Sequence, residues 1–418
     1  MNKLETANAL LESGQTDEGL KVLRELIQHG DDDTLYGAAA IFHDYGFQDE
    51  ALKVYSMLLG RYPNDSDLLL QISDLLIDQN KEDRAIEYLS KIHPLDENYL
   101  SAQMMLADLY QQEGLDEVAE NKLIGALKIA PHEPVLLFAL GEFYLSIGDA
   151  GKAVLYLEKV QNEPKLADQN VSLKLAEALS LYGEFERALK AYRKGLKKEK
   201  TLDGLFGYGV TAAKIHHDKT AIKALEELRG LDPGYSTLYP VLAHSYEHEG
   251  QLDKALKITE AGLQFDQYND RLYREAGELS IKVHQRDKAG EFFKKWYELD
   301  PENVEALTRL VELKSQDEDY DGIIELLGKQ EPDDPMLIWF LATAYNKTDE
   351  LKKAWKYYQL SADSLSNNPE FLEEYGEYLR DMGKRREGLQ ALEKSVRLNP
   401  ENQELADFIE RLKQDDSL

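Results

Sequence analysis

The chain has 418 residues, with 79 acidic against 49 basic side chains and a formal net charge of −30, so nucleic acid and anionic lipid surfaces repel it. It has no cysteine, which excludes disulfides, thiol nucleophiles and cysteine-based zinc sites. No run of about 18 apolar residues predicts a membrane span, and the start "MNKLETANALLESGQ" lacks the features of a signal peptide, so a cytoplasmic location is expected.

The predicted elements are paired helices. One phrase recurs in chain order: a charged residue, a small residue, an aliphatic, then an aromatic or leucine four residues after the small one. It runs through "DEGLKVL" (Gly19), "DEALKVY" (Ala51), "EDRAIEYL" (Ala85), "DEVAENKL" (Ala119), "AGKAVLYL" (Ala153) and "FERALKAY" (Ala188). It continues through "KTAIKAL" (Ala221), "LDKALKI" (Ala255), "RDKAGEFF" (Ala289), "YDGIIELL" (Ile323 in the small residue's place), "LKKAWKYY" (Ala354) and "REGLQAL" (Gly388). From Ala51 to Ala289 the gaps are 34, 34, 34, 35, 33, 34 and 34 residues, and the series makes twelve units.

A second phrase lies twelve residues before each small residue, clearest in "LYGAAAIF", "QMMLADLY", "LFALGEFY" and "IWFLATAY". Both phrases place apolar residues at i, i+3, i+4 and i+7, one face of a helix. Small residues such as Ala107, Gly141, Ala119 and Ala153 allow close helix approach, and Tyr144 and Leu157 fill the gaps. Glycines in "SIGDAG", "LYGEFE" and "HEGQLD" suit the turn within each unit. Prolines at Pro63, Pro131, Pro233, Pro301 and Pro400 stop the second helix. A single helical hairpin cannot bury both faces, so neighbours must stack. "NQELADFIERLKQ", with Leu405, Phe408, Ile409 and Leu412 on one face, reads as a capping helix, and the tail "DDSL" as frayed.

Both phrases hold their spacing across nearly the whole chain, and this pattern resembles the tetratricopeptide repeat (TPR) family. The layout is also similar to the YpiA-type TPR proteins of Gram-positive bacteria. The resemblance implies an all-α, right-handed superhelical α-solenoid that works as a protein-binding scaffold or adaptor, with no catalysis and no cofactor.

Three groups of repeats are expected within this continuous solenoid: residues 1–166, 167–332 and 333–418. Candidate hinges lie where the pattern weakens. One is 161–170, where the spacing gains a residue. Another is 203–210, with three glycines in a first-helix position. The third is 315–335, where the tenth unit is short and lacks its small residue. Sequence drift is the competing explanation.

The stretch "HSYEH", His244 to His248, matches the H-x-x-E-H signature of a zinc peptidase. Leu242, Ala243 and Tyr246, however, occupy the repeat's consensus places, so the repeat already accounts for it. The two histidines share a helix face and Glu278 is the candidate third ligand, but no segment is left to build a substrate pocket. No metal is therefore expected. His216 and His217 are expected to be solvated in a turn, and "GLFGYG" is a weak phosphate-loop match for want of a flanking strand.

The TPR resemblance implies a groove lined by the first helix of each unit. Carried over, the position three before the small residue gives Tyr36, Leu70, Met104, Phe138, Leu173, Phe206 and Trp339. The position one after it gives Asp74, Asp108, Glu142, Glu177, Glu278, Glu312 and Glu377. An apolar ladder beside an acidic one suits a protein segment with apolar anchors and Lys or Arg between them. Phe138 beside Glu142 is the foremost pair. Arg271 and Arg274 interrupt the acidic run, marking a separate contact or pairing with Glu278. A monomer is favoured. The alternatives are a self-assembling structural protein and, last, a metalloenzyme using His244 and His248.

Overall fold

The computed structural model describes residues 3–329 and 332–415; the end of the expected frayed tail, 416–418, and part of the candidate hinge at 315–335 lie outside them. The described residues are helical throughout and contain no strand. They divide into two compact units, Met1–Ile215 and His216–Leu418.

The first unit holds α1 (Lys3–Glu12), α2 (Thr16–His29), α3 (Asp32–Asp44), α4 (Gln48–Arg61), α5 (Ser66–Asp78), α6 (Glu82–Leu89) and α7 (Tyr99–Gln112). It continues with α8 (Asp116–Ile129), α9 (Pro134–Ser146), α10 (Ala150–Val160), a single 3-10 turn at Pro164–Leu166, α11 (Val171–Tyr182), α12 (Phe185–Lys198) and α13 (Leu202–Lys214).

The second unit starts with α14 (Asp218–Leu231), α15 (Leu238–His248), α16 (Leu252–Phe265), α17 (Asp270–Lys282), α18 (Arg286–Leu299) and α19 (Val304–Gln316). After these come α20 (Tyr320–Leu327), α21 (Pro335–Lys347), α22 (Leu351–Ala362), α23 (Pro369–Asp381), α24 (Arg385–Leu398) and α25 (Gln403–Asp415). This is a TPR α-solenoid: among the described residues, twelve helix–turn–helix units and a final helix. No helix among the described residues is long and apolar enough to cross a membrane.

Local chemistry sets the helix ends. The five prolines foreseen as stops each sit two residues beyond a helix, after α4, α8, α14, α18 and α24. The residue before each proline cannot remain helical, because the ring clashes with its backbone. Tyr62, Ala130, Asp232, Asp300 and Asn399 accordingly have φ between −141° and −125° and ψ between 71° and 93°. At helix starts, Asn269 and Asn303 accept from the Leu272 and Ala306 amides at 3.1 and 3.0 Å, satisfying donors that the helix leaves unpaired.

The small residues of the second phrase work through a fixed register. A Cβ added at Gly141 would lie 2.5 Å from Leu157 Cγ, and one at Gly376 would lie 2.8 Å from Leu392 Cγ. One at Gly277 would lie 2.8 Å from Phe293 Cζ. In each case the facing side chain is sixteen residues on, in the second helix of the same unit. A small residue thus accepts a large one, and the hairpin closes around it.

The expected weak points behave differently from one another. The 203–210 stretch lies inside the unbroken helix α13, and a Cβ at Gly207 would meet Tyr192 Cζ at 2.8 Å. That glycine therefore serves packing. The 161–170 stretch holds the 3-10 turn. The tenth unit keeps its shape with a short α20 in which Ile323 and Leu327 are fully buried. Leu405, Ile409 and Leu412 of α25 are buried with Leu392 of α24, which closes the end of the apolar core.

Candidate functional site

Four successive first helices of the N-terminal unit, α5, α7, α9 and α11, carry Asp74, Asp108, Glu142 and Glu177 one residue after the small position. Because these helices repeat in register, the carboxylates recur at the same height on each. Asp74, Asp108 and Glu177 are exposed and Glu142 is half-buried. Lys174 Nζ reaches Glu142 at 3.2 Å, and His43 Nε2 lies 3.7 Å from a carboxylate oxygen of both Asp74 and Asp78. The Asp108 carboxyl is pushed above its ordinary 3.8, first by desolvation among the surrounding helices and then by the charge of Glu142. A second negative charge is therefore costly there, and a cation would relieve it.

The apolar ladder is more deeply engaged. Phe138 is only 7% exposed and belongs to the core around α9, so it offers no free anchor. Leu173 is half-buried, and Gly195 and Gly204 both leave room for it. Tyr36 sets its ring edge-on to Tyr55 at 5.4 Å. Leu70, Met104 and Phe206 are half-buried. Met104, Asp108, Phe138, Glu142, Lys165 and Lys174 are brought together around a cavity of about 570 Å³. One wall comes from Lys165, Leu166, Asp168 and Gln169, which no repeat position predicts. The one-residue gain in spacing between Ala153 and Ala188 was the only trace of this wall in the sequence.

In the C-terminal unit several of the acids are matched. Arg309 spans Glu278 and Glu312, each at 3.0 Å. Arg274 pairs with Glu305 at 3.7 Å and not with Glu278, whereas Arg271 pairs with Glu275 at 2.8 Å. Lys282 reaches Glu247 at 2.5 Å. A cavity of about 250 Å³ beside them is lined by His244, Glu278 and these paired charges. Trp339 is half-buried, edge-on to Phe371 at 5.7 Å and stacked on Phe340, and its indole N–H is buried without a hydrogen-bond partner. Glu377 on α23 is exposed, and its carboxyl is raised by desolvation and then by Glu373, Asp381 and Glu374.

Residues 111–164 match the family model "YpiA-like, tetratricopeptide repeats", and residues 335–402 match "YpiA-like, C-terminal tetratricopeptide repeats". The chain is 36% identical over 417 residues, 99% of both chains, to the TPR repeat-containing protein YpiA of Bacillus subtilis (strain 168). This chain belongs to the YpiA-like TPR proteins. Among solved structures it is similar to YrrB, described as a TPR protein with an unusual peptide-binding site (17% identity, 44% of this chain and 96% of that one, TM-score 0.40). It is also similar to a TPR protein from Parabacteroides merdae ATCC 43184 (17% identity, 60% and 98% coverage, TM-score 0.42).

The histidines of this YpiA-like chain are arranged differently from the sequence expectation. Leu242, Ala243 and Tyr246 are buried, as the repeat demands. His244 and His248 bring their rings to 4.0 Å, but Glu278, the expected third ligand, is held by Arg309. His248 instead approaches Asp218, with Nδ1 to Oδ1 at 3.5 Å, and its ring lies 5.3 Å from that of His216. His216 is thus exposed in its turn, as expected, but faces a partner.

Proposed function

We propose that this YpiA-like chain is a non-catalytic, cytoplasmic interaction protein. In this reading its N-terminal unit holds a protein segment of alternating Lys or Arg and apolar residues along α5 to α11. TPR proteins mediate protein–protein contacts, and the family membership supports that class of function. The observation carrying the finer reading is Asp108. Its carboxyl is raised by desolvation and by Glu142, beside a cavity whose lining includes Phe138 and Met104. A lysine or arginine placed there neutralises the repulsion between the two carboxylates. In the C-terminal unit, arginines and lysines pair with Glu278, Glu312 and Glu247, whereas Asp108 and Glu177 of the N-terminal unit are exposed, which favours the N-terminal unit in this reading.

The test is fluorescence anisotropy with synthetic peptides that alternate Lys or Arg with Leu, against acidic and scrambled controls. The basic–apolar peptides should bind, and the double variant Asp108→Lys/Glu177→Lys should weaken them about tenfold or more. Equal binding of acidic peptides, or no change in the double variant, removes this groove from consideration. Phe138→Ala is unsuitable because the ring is part of the core.

A further inference from the structure

We propose that His216, Asp218 and His248 form a binding site for a single divalent transition-metal ion of the zinc class. The site is independent of the groove. One ligand atom from each of the three residues lies within 4.8 Å of the others. The residues come from two neighbouring pieces of the fold: His216 from the turn before α14, Asp218 from the first position of α14, and His248 from the last position of α15.

Two observations set this cluster apart from chance proximity. Asp218 is 6% exposed, and its Oδ1 is buried without a hydrogen-bond partner. Buried carboxylate oxygens are normally satisfied. At 3.5 Å, His248 Nδ1 is too far to bond it well, yet that is the spacing of two ligands on one tetrahedral zinc, about 3.4 Å for metal–ligand bonds near 2.1 Å. Bringing the remaining ligand in needs a closure on the order of 1 Å, within reach of a side chain in a turn.

The repeat itself supplies the second observation. Two units further on, the same three places hold His284, Arg286 and Gln316, and there Arg286 donates to the Gln316 side chain at 3.1 Å. Near the N-terminus they hold Gly46, Gln48 and Asp78, and Gln48 donates to Asp78 at 3.2 Å. At these two stacks the face pairs complementary polar groups, whereas the next unit holds Gly250, Leu252 and Lys282 there. At the His216 stack, donor and acceptor are replaced by two imidazoles and a carboxylate.

Two nitrogen ligands and one oxygen favour zinc-class ions over magnesium or calcium, which need mostly oxygen. His216 and His248 are exposed, so a fourth position is open to water, to a ligand from a partner, or to His244, whose ring lies 4.0 Å from that of His248.

The repeat also supplies a safe variant. His216 has φ +56°, and the corresponding turn residue in the next unit is Gly250 at +72°. His216→Gly therefore removes the imidazole and leaves a residue that suits the backbone. The experiment uses full-length protein without a polyhistidine tag, stripped with a chelator and titrated with Zn²⁺ against a chromophoric competitor. Co²⁺ absorption serves as a second readout. Wild type should take up one equivalent at micromolar or tighter Kd, with the visible bands of low-symmetry cobalt. His216→Gly and His248→Gln should each weaken binding tenfold or more, and His284→Gly should change nothing. Circular dichroism of His216→Gly confirms the fold. Weak uptake by several sites, equal in wild type and His216→Gly, overturns the proposal, as does a cobalt spectrum unchanged by either ligand substitution.

Discussion

At the scale of single residues, the turn within each unit shows the tightest link between sequence and backbone. Among the described residues, left-handed φ occurs once in each of twelve such turns: at Gly14, Gly46, Gly114, Gly148, Gly183, Gly250 and Gly383, and at Asn80, His216, His284, Glu318 and Asp349. A side chain in this region crowds its own backbone by about 1–2 kcal/mol. Glu318→Gly should therefore stabilise the chain, by roughly 0.5–1 kcal/mol after the flexibility glycine adds to the unfolded chain, whereas Gly250→Ala should destabilise it by about 1 kcal/mol. Denaturant titration of both variants tests the pair together, and a stabilising Gly250→Ala would contradict it. Asp108 carries a second residue-scale prediction. Its folded carboxyl lies above 3.8, so its ionisation costs the folded state stability once the pH exceeds the raised value, and that cost is gone below 3.8. A bound cation offsets the cost. Affinity for a basic peptide should accordingly fall as the pH drops from neutral to about 4, and Asp108→Asn should flatten that part of the profile in calorimetric titrations.

At the scale of helices, packing is a matter of size complementarity sixteen residues apart. Gly277→Ala pushes a methyl group into Phe293 and should cost about 1–3 kcal/mol. Phe293→Leu in the same chain should recover part of that loss, with a coupling of about 1 kcal/mol or more in a double-mutant cycle. Strict additivity would mean that the two side chains do not meet as described. Helix starts make a smaller, local contribution: Asn303→Ala removes the acceptor for the Ala306 amide and should cost about 1 kcal/mol. The three glycines of α13 show why propensity alone misleads. Each weakens an isolated helix, but Gly207 makes room for Tyr192, and tertiary packing outweighs the local penalty.

For the whole molecule, charge dominates the response to solution conditions. A net charge of −30 makes the folded chain repel itself, while its ion pairs are mostly exposed and individually worth little. Moderate salt screens the repulsion over about 10 Å at 0.1 M. Raising sodium chloride from about 0.02 to 0.3 M should therefore increase Tm, while the same change weakens a basic peptide in the groove. Calorimetry and anisotropy on one salt series would separate the two responses. A Tm that falls with salt would show that the ion pairs outweigh the net repulsion.

The sequence by itself determined the repeat, the helix pairs, the proline stops and the terminal helix, because each follows from local spacing or from the steric limits of one residue. It also located the acidic positions, since a fixed repeat length puts equivalent residues on equivalent faces. Tertiary structure alone decided which of those residues are engaged by other side chains. Phe138 and Leu173 are taken up by neighbouring helices, Glu278 is held by Arg309 of the next unit, and His216 meets His248. Such pairings join side chains about thirty residues apart, and their geometry depends on how one unit stacks on the next, which no single helical period encodes.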